Sequence, residues 1–316
     1  MKVVATIGSF DGVHRGHRCL LNQVRGIADE RDMLAMVITF GTSPKRVLGL
    51  ADAPQLTSVE ERTNRLYQLG MDEVVVLDFT REMAEMSARD FMQQVLKERL
   101  DVAVLVIGYD HRFGRGRSEG FDDYVRFGNE LGIEVVRGEA CTQDDEPISS
   151  TRIRHLLVEG DVDGAARLLG YHYTLYGEVV SGYQEGRKMG FPTANIRPSS
   201  GDKLLPADGV YAVYVNVVDN DNEDENENGQ SSKLGARGSG LKGMLNIGYR
   251  PTLNNGKERS IEVHVIDFEG DLYGMEITVE IVCRLREEQA FVSKEELTEQ
   301  LKKDRERVME ILNYNP

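Results

Sequence analysis

The hydrophobic period of this 316-residue chain changes once, near Gly170, and that change commits it to two unlike architectures in series. Up to about Leu169, short apolar runs at Val3–Ile7, Leu34–Phe40, Glu73–Leu77, Val102–Ile107 and Ile133–Val136 alternate with helical segments. Ser58 with Glu61 and Ser87 with Asp90 mark two helix starts, because a cap hydroxyl and a carboxylate three residues on satisfy each other's backbone N–H groups. Strands joined by helical crossovers pair in parallel. This half therefore predicts a doubly wound parallel α/β sheet whose ligand lies at the carboxyl ends of the strands.

Beyond Gly170 apolar residues recur at every second position between glycine-rich turns, over Tyr173–Val180, Gly209–Val218, Leu241–Ile247, Ser260–Asp267 and Glu276–Leu285. A long helix is expected from Ser293, with Glu296 completing its cap and Leu297, Leu301, Val308 and Leu312 along one face. Closely spaced strands with one closing helix predict a small antiparallel β-barrel domain with a C-terminal helix. The expected domains are 1–171 and 172–316, since a chain of this length supports two cores.

Charge and cysteine usage bound the partners. A net charge of −15 disfavours a nucleic-acid surface, which needs a basic stripe to release counterions. An anionic ligand must then meet local clusters, and Arg112, Arg115 and Arg117, Arg152 and Arg154, and Arg187 with Lys188 supply them. No apolar run approaches the roughly twenty residues of a membrane span, and MKVVATIG enters a strand without a signal-peptide layout. Cys19, Cys141 and Cys283 are isolated and odd in number, which predicts unpaired side chains in a reducing, cytoplasmic setting. The acidic run Asp219–Glu227 opens a polar stretch to about residue 240 that buries too little surface to offset its ordering, so it reads as a flexible loop.

The run GSFDGVHRGH, Gly8 to His17, places two glycines, a carboxylate and two imidazoles where the first strand gives way to a helix carrying Leu20, Leu21 and Val24. A helix start presents unpaired N–H groups and about half a positive charge, and glycines let a polyphosphate approach the main chain. His14 and His17, three apart on a first turn, can reach one ligand. The spacing fits neither G-x-G-x-x-G nor G-x-x-x-x-G-K-[ST], and no cysteine or third histidine stands nearby to complete a zinc shell. The string resembles the HxGH signature of the nucleotidyltransferases, in which two histidines hold nucleotide phosphates.

Two further strings extend this reading. ISSTRIR, Ile148 to Arg154, gathers hydroxyls and guanidinium groups at the start of a helix running toward Leu157; such hydroxyls cap a helix, and together with forked arginines they also grip a pyrophosphate. GYDHRFGRGRSEG, Gly108 to Gly120, follows the fourth strand. With these, the N-terminal half resembles the FMN adenylyltransferase module of bacterial bifunctional riboflavin kinase/FAD synthetases. His111 stands where that family usually has Phe, and TFGTSPKRV, Thr39 to Val47, departs from its TF-[DE]-P-x-P pattern. The resemblance implies that His14 and His17 act on the phosphates, with Gly8, Phe10, Asp11, Gly16, Asp110, Ser149, Ser150, Thr151 and Arg152 forming the ATP site.

GRKMGFPTANI, Gly186 to Ile196, reads on its own as a polar turn at Pro192–Asn195. It also resembles the riboflavin kinase signature GRxxGFPTAN. That resemblance implies that Gly186, Arg187 and Gly190 cover the ATP phosphates and that Thr193 and Asn195 hold Mg²⁺. GMLNIGYRPT and IEVHVIDFEGDLYG fit the same family. The resemblance implies flavin contacts at Asn246, Arg250 and Arg286, and Glu262 as the base for the riboflavin 5′-hydroxyl. In a strand Glu262 and His264 share one face while Ile261, Val263 and Val265 share the other. The implied chemistry is riboflavin to FMN and then FMN to FAD, with ATP as co-substrate in both steps. Two other readings remain open on the residues alone: another HxGH enzyme acting on a different phosphorylated alcohol, and a flavin-binding regulator without turnover.

Overall fold

The computed structural model describes residues 2–51, 53–109, 111–139, 142–143, 146–181, 190–218, 240–249 and 259–314. The chain forms two compact units, Met1–Arg152 and Ile153–Pro316.

In the first unit, strands β1 (Val3–Ile7), β2 (Leu34–Phe40), β3 (Glu73–Leu77), β4 (Val102–Ile107) and β5 (Glu134–Arg137) form one sheet in the order β3-β2-β1-β4-β5, and every pair is parallel. The predicted doubly wound sheet is what forms, with the fifth strand one residue later than its apolar run suggests. Alternation along the strands feeds two cores. Val3, Ala5 and Ile7 pack with Phe91, Met92, Leu96 and Tyr124, while Val4, Val37 and Val104 pack under Leu20, Leu21 and Val24 of helix α1 (Arg15–Arg31). The strand order reverses between β1 and β4, so the crevice for a ligand opens at the carboxyl ends of these two neighbours. GSFDGVHRGH leaves β1 there, and GYDHRFGRGRSEG leaves β4 there.

Local capping follows the sequence closely. Helix α2 (Val59–Gln68) starts in a full capping box: Glu61 N–H donates to Ser58 Oγ at 3.1 Å and Ser58 N–H to Glu61 Oε2 at 2.6 Å. Ser87 caps helix α3 (Ala88–Phe91), which continues as wider π turns over Met92–Arg99. Helix α4 (Phe121–Leu131) starts after Gly120, whose N–H donates to Asp123 Oδ2 at 3.0 Å, and ends on Gly132 at φ 69°. Cys19 is disulfide-bonded and Cys283 is free, so the expectation of three unpaired cysteines is corrected at Cys19; Cys141 lies outside the described residues.

In the second unit six antiparallel strands close a barrel: β8 (Tyr173–Val180), β9 (Ala194–Pro198), β10 (Gly209–Val218), β11 (Leu241–Tyr249), β12 (Arg259–Val265) and β13 (Glu276–Arg286). After β5 in sequence comes a small ladder, β6 (Thr142–Gln143) with β7 (Glu146–Pro147). Strand β9 corrects the reading of Pro192–Asn195 as a turn, because Asn195 pairs with Val180 on one side and Glu262 on the other. Helices α5 (Ser150–Glu159) and α6 (Val162–Leu169) precede the barrel, and Ala207 N–H donates to Leu157 O. Helix α7 (Lys294–Tyr314) lays Val308 and Leu312 over Ala212, Met244, Ile266 and Val282, as its apolar face predicts. Only half of its expected cap forms as drawn: Glu296 N–H donates to Ser293 Oγ, but Glu296 Oε2 accepts from Val292 N–H. The stretch 219–239 lies outside the described residues, between the paired strands β10 and β11.

Candidate functional site

The turn after β1 is built from residues with left-handed backbone, Phe10 at φ 47°, Gly12 at 81° and Val13 at 37°. Such angles are strained for Phe and Val and persist only where surroundings hold them. Asp11 supplies that hold. Its buried carboxylate accepts from the Leu56 and Thr57 N–H groups and from the Thr57 hydroxyl, and Gly12 N–H donates back to Thr57 Oγ1. Arg62 adds a second clamp, donating to the carbonyls of Ser9 at 2.9 Å and Phe40 at 2.6 Å. Asp11 is thus placed at the site as a loop anchor. Thr57 and Arg62 are partners that sequence reasoning missed, because the only local signal was the neighbouring cap of α2.

His14 caps α1: its Nδ1 accepts from His17 N–H at 3.2 Å. The two rings stack at 3.6 Å, and Phe10 meets His17 edge-on at 5.1 Å. Burial, then His14 and Arg62, push His17 well below its ordinary pKa, so its ring is neutral at pH 7. Its Nδ1 is buried without a protein partner. The glycines here serve close approach. A Cβ on Gly8 would stand 3.1 Å from the Phe10 ring, and one on Gly16 3.2 Å from both the His14 ring and the Ile148 carbonyl. Ser150 Oγ donates to the Asp11 carbonyl at 2.8 Å, bringing ISSTRIR against the histidine turn. Ser149 Oγ also accepts from Arg152 N–H at 3.3 Å, so the capping role of these hydroxyls is present as well. Thr151 is exposed and Arg152 half-buried at the same helix start.

Beyond β4 a cavity of about 290 Å³ is lined by Gly108, His111, Arg112, Phe121 and Arg137. Arg137 lies over the Phe121 ring at 4.1 Å. His111, the departure from the family's Phe, is pushed down to about 4, first by burial and then by Arg117, and its Nε2 is sealed from solvent without a protein partner. Tyr124, unsignalled in the sequence, pins this loop. Its ring stacks on Phe113 at 4.4 Å and its hydroxyl bonds the Phe113 backbone. Asp110 lies outside the described residues.

On the barrel, register aligns the predicted residues. Glu262 on β12 stands directly opposite Asn195 on β9 and directly opposite Asn246 on β11. Directly opposed residues share a face with Cβ atoms about 5 Å apart, so the three form one transverse row. The Thr193 hydroxyl reaches Glu262 Oε2 at 3.5 Å. Gly190 adopts φ 80°, a conformation that favours glycine. Arg286 lies further along the same line, opposite Val210, with its guanidinium turned onto Asp304. Gly186, Arg187 and Arg250 lie outside the described residues. The donor set of Thr193, Asn195 and Glu262 is all oxygen, which suits a hard cation such as Mg²⁺; among the described residues no cluster of three His, Cys, Asp or Glu side chains could hold a metal.

A parallel sheet that gathers stacked histidines and a serine-rich helix start at its switch point, followed by a barrel carrying that oxygen row, defines a fused pair of nucleotide-using transferase units. Residues 1–152 match the family model for FAD synthetase and residues 169–312 that for riboflavin kinase. A bifunctional riboflavin kinase/FMN adenylyltransferase of Escherichia coli K12 is 36% identical over 95% of this chain and 90% of its own length. The Bacillus subtilis protein of the same description is 34% identical over 96% of this chain and 91% of its own. A solved Streptococcus pneumoniae structure described as a macrolide-efflux protein superposes with TM-score 0.82 at 29% identity, covering 96% of this chain and 93% of that one. The chain belongs to the bifunctional riboflavin kinase/FMN adenylyltransferase family. No helix among the described residues is long and apolar enough to cross a membrane.

Proposed function

We propose that the two activities of this bifunctional enzyme divide between residues 172–316, which phosphorylate riboflavin, and residues 1–171, which adenylylate FMN. The observation that carries the kinase assignment is the row Asn195–Glu262–Asn246, with the Thr193 hydroxyl beside it. Glu262 accepts the proton of the riboflavin 5′-hydroxyl as its oxygen attacks the γ-phosphorus of ATP, and ADP leaves. Thr193 and Asn195 hold Mg²⁺, which when bound neutralises charge on the phosphate oxygens. Gly186, Arg187 and Gly190 cover the nucleotide phosphates, and Asn246, Arg250 and Arg286 hold the flavin.

In the first unit the phosphate of FMN attacks the α-phosphorus of a second ATP, giving FAD and pyrophosphate. No protein nucleophile takes part. His14 and His17, the N–H groups at the start of α1, and Ser149, Ser150, Thr151 and Arg152 receive the charge that develops on the phosphates. Gly8, Phe10, Asp11 and Gly16 shape the turn, and Asp110 completes the ATP site. A neutral His17 suits this task, because its ring offers an N–H donor without like-charge repulsion against Arg62. Riboflavin, ATP and Mg²⁺ supplied to the pure protein should give FMN and then FAD by mass spectrometry; unaltered riboflavin would eliminate the kinase half.

A further inference from the structure

We propose that His264 is a positioning residue for riboflavin phosphorylation, donating its Nδ1–H to the Pro192 carbonyl and so setting the orientation of the adjoining Thr193 hydroxyl against Glu262. The inference rests on the reading of Thr193, Asn195 and Glu262 as the kinase site. Its geometry is independent of that reading. His264 Nδ1 lies 2.8 Å from the Pro192 oxygen. A carbonyl only accepts, so Nδ1 carries the proton and the tautomer is settled by the contact.

The need for such a bond follows from where the ladder stops. Strand β12 pairs with β9 at Glu262–Asn195 and Val263–Ala194, and the pairing ends there. Pro192 has no N–H to extend it. The His264 side chain takes over beyond the last rung, tying Pro192 to β12 two residues along from Glu262 on the same strand face. The peptide between Pro192 and Thr193 is planar, so fixing its oxygen fixes the plane from which Thr193 departs. Phe191 meets the His264 ring edge-on at 5.2 Å and joins the cluster under α7, which leaves the imidazole one packed orientation. Burial holds His264 below its ordinary pKa, Arg305 acts in the same sense, and Pro192 and Asp267 act against them.

His264→Leu removes the donor, and His264→Asn restores an N–H near the position of Nδ1. The leucine variant should phosphorylate riboflavin about tenfold more slowly, the loss expected for one hydrogen bond. Its KM for riboflavin should be unchanged, and the Mg²⁺ concentration for half-maximal rate should rise. Calorimetric binding of MgADP to the full chain should weaken several-fold in the same variant. Asparagine should recover most of both losses, and FMN adenylylation should be unchanged in either. Should leucine not fold, His264→Gln, whose amide sits too far out to reach Pro192, takes its place. Full kinase rate in the leucine or glutamine variant, or no recovery with asparagine, overturns the role of His264. Glu262→Gln is the separate arm: an active Glu262→Gln enzyme removes the site reading beneath the proposal, whereas an inactive one beside a fully active His264→Leu removes the proposal alone.

Discussion

The imidazole rings of His14 and His17 lie face to face, 3.6 Å between centroids and 15° between planes. Nδ1 of His14 is occupied as the cap of α1, accepting the N–H of His17, so the residue that completes the pair also anchors its partner. Protonating one ring opposes protonating the other at this separation, which adds to burial in keeping His17 neutral.

His17→Ala should therefore lower FAD formation from FMN by 10²-fold or more, the range for loss of a preorganised donor at developing charge, while riboflavin phosphorylation stays intact. Glu262→Ala should do the reverse when FMN is supplied. Separate product assays of the two steps check this, and equal impairment of both steps by each change would refute the division of labour.

Thr57 stands 45 residues from Gly12 in sequence and holds the turn after β1 through the Gly12 N–H. Thr57→Val keeps the shape but leaves the Gly12 N–H and one Asp11 oxygen short of a buried partner, which costs about 2 kcal/mol. Urea unfolding should register that loss together with slower FMN adenylylation, and Thr57→Ser should restore both. Equal behaviour of the valine and serine variants would show that the Thr57 hydroxyl does not hold the turn.

His111 gives a pH dependence of defined sign. Its folded pKa of about 4 lies below the unfolded value near 6.5, so the unfolded chain takes up this proton first as pH falls. The stability contribution is complete above pH 6.5, declines as pH drops toward 4, and amounts to at most about 3 kcal/mol. His111→Phe should abolish that share. The stability difference between variant and parent should widen in favour of phenylalanine between pH 6.5 and 4, and a constant difference would contradict the burial of a neutral ring.

The contrast between legible and hidden features has a physical basis. Strands β1 to β4 end where their apolar runs meet Gly8, Gly41, Asp78 and Gly108, so local sequence marks them. The five residues of β9 alternate, but the run is short and includes Asn195 and Pro198, which are depleted in strands; ladder partners on β8 and β12 make them a strand. HxGH and PTAN were readable because their chemistry is local. Thr57, Arg62 and Tyr124 were not, because each reaches its partner across a gap that the fold alone closes. The register that sets Asn195, Glu262 and Asn246 in one row likewise comes from strand pairing, not from spacing.

Arg286 offers the last discrimination. Its Nε and Nη2 donate to both oxygens of Asp304, Gln300 supplies a further donor at 2.8 Å, and the side chains of Arg286 and Asp304 are only 14% and 5% exposed. The pair ties α7 to the end of β13, so its first role is to hold the helix. Removing one partner leaves a buried charge uncompensated. Asp304→Ala should cost about 3 kcal/mol in urea unfolding, whereas the double replacement Arg286→Met with Asp304→Leu should recover most of it, because apolar residues of similar volume substitute well for buried pairs. The double variant separates anchoring from flavin contact, since it restores packing without restoring the guanidinium. Near-native stability with a several-fold higher riboflavin KM is the expected result. Native stability with a native KM would confine Arg286 to holding α7 in place.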